Sequence, residues 1–291
     1  MAGEGAPMTP FLDGELSAAE LDPATARFRV IPVPLERTVS YGAGTAGGPA
    51  ALLQASTQLE RLWRGGEPCA AGIVTEDAID CDGPLPEVMA RIAARTEAAA
   101  IAGRIPVVIG GEHSLSYGAV TGVARALNDR RIGIVQIDAH ADLRRAYHGE
   151  RHSHASVMQL LAEEEAIPLA QFGIRALSSE EAERRRTAGV FFRDAEDLVT
   201  QNLHAVDLPA DFPEHVYVSF DVDGLDPSFL PATGTPVPGG LGFWQAIHLV
   251  EHALKGRRMV GCDVVELAPA PGSAVSDFAA AQVCYALMAM A

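Results

Sequence analysis

Ile132-Gly133-Ile134-Val135-Gln136-Ile137-Asp138-Ala139-His140-Ala141-Asp142 is an apolar run that ends in three potential metal ligands. A short β-branched run that is apolar on both faces reads as a strand of a parallel sheet, covered by helices on each side. In extended chain, residues i, i+2 and i+4 face the same way, so Asp138, His140 and Asp142 are expected to converge on one point. Carboxylates placed beside such an apolar run are costly unless cations neutralise them.

The same strand pattern recurs along the 291 residues. Phe28 to Val33, Ala71 to Val74, Pro106 to Ile109, Leu169 to Ile174, Gly189 to Phe192, Val216 to Phe220 and Met259 to Val265 bring the candidate strands to about eight. Helical intervals separate most of them: Pro49 to Gln58, Leu85 to Ala102, Gly118 to Asn128, His154 to Ala166, Ser178 to Ala188, Gly242 to Lys255 and Val275 to Met290. The alternation predicts an α/β fold with a sheet between two helical layers. No repeat or long linker interrupts it, so residues 28–291 are expected to form one domain. The preceding segment, 1–27, opens on small residues without periodicity and is expected to be flexible. Glu163 to Glu165, Glu180-Glu181 and Arg184 to Arg186 have the spacing of a solvated helix face.

A formal charge of −16, with only 22 Lys and Arg, argues against a nucleic-acid partner and suits a cationic substrate. Four cysteines without a Cys-x-x-Cys pair read as reduced thiols. No secretory signal is visible at the N-terminus, and the default expectation is the cytoplasm. The uncharged run Phe278 to Ala291 is too short for a bilayer and suits a buried or interface helix.

Two further clusters resemble the first. Ser219-Phe220-Asp221-Val222-Asp223-Gly224-Leu225-Asp226-Pro227 ends another apolar run, and Asp221 and Asp223 share a face if the chain is extended. A calcium loop is excluded, because the glycine and the closing glutamate it requires fall on Asp226 and Ala232. Asp226-Pro227 reads instead as a turn, with Asp226 bonding local backbone. Gly110-Gly111-Glu112-His113-Ser114 places a histidine after a glycine turn, with Glu112 beside it to orient the turn. Several carboxylates with imidazole suit a hard or borderline divalent ion such as Mn²⁺, and bridging carboxylates hold two such ions about 3.5–4 Å apart. His148, His152 and His154 share a loop, and spacing alone does not choose a proton shuttle among them. Glu266 ends another apolar strand, where a carboxylate can grip a guanidinium or serve as a salt bridge or helix cap.

In order, these clusters resemble the Gly-Gly-acid-His-Ser, Asp-Ala-His-x-Asp and Ser-x-Asp-x-Asp-x-x-Asp-Pro motifs of the ureohydrolase family, which includes arginases and agmatinases. Matching stretches run from about Val30 to Tyr285. The resemblance implies a three-layer α/β/α arginase-type fold with a central, mainly parallel eight-stranded sheet. It implies two Mn²⁺ ions, His113 and Asp142 on one, His140 and Asp223 on the other, with Asp138 and Asp221 bridging. A hydroxide between the ions would attack the guanidinium carbon, and Asp142 would help move a proton to the leaving amine. By the same resemblance His154 is a proton-transfer or substrate-contact group, with His152 as competitor, and Glu266 pairs with the guanidinium.

Assembly into a trimer or hexamer is likewise implied by family. The interval Leu143 to Ser153 lacks the Asn of arginases, and Thr38 to Thr45 resembles agmatinases, so agmatine, yielding putrescine and urea, is the expected substrate. Guanidinobutyrate, aminopropylagmatine and arginine are the alternatives, with a guanidino acid favoured if Arg144, Arg145 and Arg151 point inward. A catalytically silent, metal-binding oligomeric homologue is the rival from another class.

Overall fold

The computed structural model describes residues 8–128 and 131–291. Eight strands, β1 (Phe28–Val33), β2 (Ile73–Thr75), β3 (Ile105–Gly110), β4 (Ile132–Ile137), β5 (Leu169–Phe172), β6 (Phe191–Arg193), β7 (His215–Asp221) and β8 (Arg258–Val265), form one sheet. Their order is β2-β1-β3-β8-β7-β4-β5-β6, and every pairing is parallel.

Strand parity sorts the core into two layers. Val107, Ile109, Val216, Val218 and Phe220 join one apolar cluster with Leu52 of α1 (Gly48–Ser56), Leu249 of α7 (Phe243–Ala253) and Val283 of α8 (Val275–Met288). The intervening Val108 and Tyr217 join the other cluster, with Ile92 of α2 (Leu85–Ile101), Val123 of α3 (Ser116–Ala126) and Met158 of α4 (Val157–Gln159). Successive side chains thus enter opposite layers, which is why these strands read as apolar on both faces.

The crossover from β3 to β4 leaves two places between them, later filled by β8 and β7. A parallel sheet puts all carboxyl ends on one edge, so the ends of β3, β8, β7 and β4 lie side by side at its centre, where ligands of such sheets gather. Two glycines allow the close approaches this needs. A Cβ on Gly111 would stand 2.0 Å from the Leu35 carbonyl, and one on Gly224 would stand 2.8 Å from the Asp138 amide nitrogen.

The structure corrects several expectations. Within the segment expected to be flexible, Phe11 and Leu12 are fully buried, and their amides donate to Thr75 Oγ1 and Ser56 Oγ at 2.8 and 3.1 Å. Two adjacent large apolar side chains can dock a turn without any periodic pattern, while residues 1–7 lie outside the described ones. The interval from His154 breaks into a 3₁₀ turn, the three-residue α4 and a π turn over Leu160–Glu164. On α5 (Ser179–Thr187) the expected solvated face is partly buried: Glu181, Arg184 and Arg185 are inside, with Arg185 paired to Asp194 at 2.7 Å. A short helix, α6 (Ala195–Thr200), follows Asp194 with Glu196 and Asp197 in its first turn, a start signal overlooked in the sequence. Most of α8 is buried within this chain. No described helix is long and apolar enough to cross a membrane.

Candidate metal centre

The carboxyl ends of the four central strands each deliver part of one buried cluster. His113 follows β3, Asp138, His140 and Asp142 follow β4, Asp221 and Asp223 close β7, and Glu266 follows β8. Asp138, His140 and Asp142 do not meet at a single point, because regular strand ends at Ile137 and Asp142 adopts a left-handed φ of 53° that turns the chain. Asp221 and Asp223 also share the site differently from a flat strand. A 3₁₀ turn over Val222–Gly224 brings them together, with Asp221 accepting from the Asp223 amide at 2.9 Å.

Two ligand sets result, joined by one carboxylate. His113 Nδ1 lies 3.1 Å from Asp138 Oδ2, 3.0 Å from Asp142 Oδ2 and 3.3 Å from Asp221 Oδ2. His140 Nδ1 lies 3.0 Å from Asp223 Oδ2 and 3.6 Å from Asp138 Oδ1. Thus His113, Asp138 and Asp142 form one possible metal triad, and Asp138, His140 and Asp223 a second.

Neighbouring side chains hold these donors in place. Gln136 Nε2 donates to Asp138 Oδ2 at 2.7 Å, and Gln171 Nε2 on the adjoining strand donates to Gln136 Oε1 at 2.7 Å. The Ala139 amide donates to Asp223 Oδ1 at 3.0 Å, and Arg175 grips the Asp223 carbonyl at 2.7 Å. His113 Nε2 faces Ser219 Oγ at 2.9 Å, and Ser219 donates its proton to buried Asp263 at 2.8 Å. Having spent that proton, the serine can only accept from the ring, so Nε2 carries hydrogen, and Nδ1 of the neutral ring has its lone pair free for a cation.

That lone pair tests whether metal fits. Nδ1 is buried without a hydrogen-bond partner among the described residues, yet three carboxylate oxygens face it. Only a positive charge between them makes the arrangement favourable. The titration of the cluster says the same. Burial, then the charge of Asp138, pushes Asp142 up to about 7, and burial with Asp223 and Asp138 pushes Asp221 well above the usual carboxylate range. Burial opposes charge on His140, but Asp223 and Asp138 outweigh it and raise the ring to about 12. Asp142 and Asp221 draw in protons where cations would serve, while Asp138, facing both imidazoles, is held below the usual carboxylate range and with its neighbours raises His113 well above the usual imidazole range. An oxygen-rich set with two imidazoles suits a hard or borderline divalent ion.

A cavity of about 410 Å³ opens over the cluster. Glu266 lines it with φ 64°, again left-handed, and accepts from the His113 amide through Oε1 at 2.6 Å. Burial raises its carboxyl to about 8, so a cation beside it would favour the ionised form. His154 lines the same cavity, whereas His152 is not among its lining residues and packs edge-on to Tyr117 at 5.2 Å. Glu112 stays out of the cluster and is buried, accepting from the Thr38 amide, Thr38 Oγ1 and Ser114 Oγ. Asp226 accepts from the Ser228, Gly239 and Gly240 amides, as a turn residue should.

Of the three loop arginines, only Arg144 lines the cavity. Its guanidinium lies 3.6 Å from buried Glu181, which also lines it; Arg145 is exposed, and Arg151 pairs with Glu164. Asp263, Gln136, Gln171 and Arg175 were not singled out in the sequence, nor was the pairing of Arg144 with Glu181, while Ser219 and Thr38 entered only as parts of longer motifs. A polar residue inside an apolar strand, as at Gln136 and Asp263, was the available signal.

A family model described as the Arginase family matches residues 26–290. The N(1)-aminopropylagmatine ureohydrolase of Synechocystis is 36% identical over 96% of this chain and 92% of its own. The agmatinase of Pyrococcus horikoshii is 34% identical over 87% of this chain and 88% of its own. The solved agmatine ureohydrolase of Thermoplasma volcanium superposes with a TM-score of 0.82 at 26% identity, covering 98% of this chain and 94% of that one.

Proposed function

The chain belongs to the arginase family and is a ureohydrolase acting on guanidino substrates, and from that premise we propose that it releases urea from an agmatine-type guanidinoalkylamine. The observation that carries this reading is the pair of ligand sets sharing Asp138 beneath a cavity that also holds Glu266. Two Mn²⁺ ions would be held by His113, Asp138 and Asp142 and by Asp138, His140 and Asp223, with Asp221 as the second bridging acid. When bound, such a pair supplies a water acidic enough to be a nucleophile near neutral pH.

The protein's own groups do the rest. Glu266 keeps Oε1 on the His113 amide, so Oε2 is the oxygen left for the guanidinium, which it holds over the centre in a charge-assisted bond. Water adds to the guanidinium carbon, the C–N bond to the alkyl chain breaks, and the leaving nitrogen must gain a proton. The Asp142 carboxylate moves that proton, with His154 as its partner on the cavity wall.

For the substrate's far end, Glu181 beside Arg144 counters the arginine's charge, so the wall does not repel a cationic tail. This favours an amine over a guanidino acid. Agmatine is what the sequence leads one to expect, and among the alternatives the 36% relative favours its N1-aminopropyl derivative as the second reading. Initial rates of urea release by the Mn²⁺-loaded protein on both amines, guanidinobutyrate and arginine test it. One of the two amines should have the highest kcat/KM. A preference for either acid overturns the substrate reading, and no urea from any, with metal bound, returns the silent homologue. Assembly as a trimer or hexamer belongs to the same proposal and is tested by light scattering.

A further inference from the structure

The hydroxyl of Thr38 lies 2.8 Å from Glu112 Oε1 and 3.1 Å from His154 Nδ1, and it also accepts the His154 amide at 3.0 Å. Glu112 is fully buried. A threonine has one proton to give and two lone pairs to offer. An oxygen-to-oxygen approach of 2.8 Å to a carboxylate requires the proton to lie on that line. Thr38 can then only accept from His154, once from its amide and once from its ring, so Nδ1 carries hydrogen. Ser153 Oγ, at 3.4 Å from the same nitrogen, is too distant to reverse this. The other ring nitrogen, Nε2, is left with a lone pair on a ring that lines the cavity.

From this geometry we infer that Thr38, backed by Glu112, is a positioning residue that sets the tautomer and the orientation of His154 for proton transfer. The inference rests on the ureohydrolase reading, in which the leaving amine must gain a proton. A proton taken up at Nε2 is passed to that nitrogen, and Nδ1 keeps its own hydrogen throughout. The Arg37 and Thr38 amides both donate to Glu112 Oε2, so the same carboxylate pins the strap carrying Thr38 to the turn that carries His113. His154 is thereby held from two sides, by its own loop and by a strap that follows β1 in the chain.

The test is a double-mutant cycle with Thr38→Val, which keeps the shape and removes the hydroxyl, and His154→Ala. Thr38→Val should lower kcat by the roughly 10–100-fold typical of losing a partner that orients a histidine, with KM and metal content little changed. Thr38→Ser should restore most of kcat. In the His154→Ala background Thr38→Val should cost nothing further. An equal loss in both backgrounds overturns the inference, as does a serine variant no better than valine. Should Thr38→Val not fold, ¹⁵N chemical shifts of His154 in the unaltered protein, assigned by difference with His154→Ala, decide instead. A protonated Nδ1 supports the arrangement, and a protonated Nε2 overturns it. If the unaltered protein releases no urea from any guanidino compound, the functional reading fails, while the ¹⁵N result still judges the tautomer.

Discussion

Asp138 Oδ2 and His113 Nδ1 face each other at 3.1 Å, both buried, with no hydrogen bond to close the gap. The other oxygen of the same carboxylate faces His140. Asp138 therefore stands between the two imidazoles and belongs to both ligand sets.

Loss of the shared acid should cost more than loss of any terminal ligand. Asp138→Asn is expected to reduce metal content at both positions by more than the roughly 10–100-fold that removal of an outer partner costs. His140→Ala should leave about one ion per chain. Elemental analysis after dialysis checks both, and two ions retained by Asp138→Asn would remove its bridging role.

The serine behind His113 offers a finer test. Ser219→Ala removes the acceptor that keeps Nε2 protonated and leaves Asp263 without its donor. Metal affinity should fall roughly 10–100-fold, and stability by about 1–3 kcal/mol for the buried carboxylate left unpaired. Calorimetric titration with Mn²⁺ and thermal unfolding of the metal-free protein separate the two effects. Unchanged affinity would show that His113 needs no such support.

Metal binding should release protons. In the metal-free cluster Asp142 sits near 7, Glu266 near 8 and His140 near 12, so these groups hold protons that are lost as pH rises. A donor must be deprotonated to bind, so affinity should rise as pH passes about 7, where Asp142 titrates, go on rising toward about 12 as His140 gives up its proton, and fall in acid. Calorimetry in buffers of different ionisation enthalpy counts the protons, and a pH-independent affinity would contradict the assignment.

At the other end of the chain, Phe11→Ala should destabilise the fold by about 3–5 kcal/mol, as for other large buried aromatics. Its ring lies 6.2 Å from that of Tyr285, joining the first described turn to the last helix. Denaturant unfolding measures this. A flexible leader would show no change.

These contrasts mark where the sequence ceases to be legible. Asp138, His140, Asp221 and Asp223 announced themselves because charge at the end of an apolar run is conspicuous. The supporting residues act across strands: Ser219 is in register with Asp263 of β8, and Gln136 with Gln171 of β5. Those pairings follow from strand order, which periodicity does not encode. Thr38 and Glu112 meet for the same reason, since β1 and β3 are neighbours in the sheet but far apart in the chain. Phe11 and Leu12 were hidden differently, because two apolar residues in an otherwise polar segment carry no periodic signal.

Anomalous diffraction from crystals grown with Mn²⁺ tests the centre most directly. Two peaks are predicted about 3.5–4 Å apart, one bonded to His113 Nδ1 and Asp142, the other to His140 Nδ1 and Asp223, with Asp138 touching both. A single peak, or two that do not share Asp138, would contradict the account.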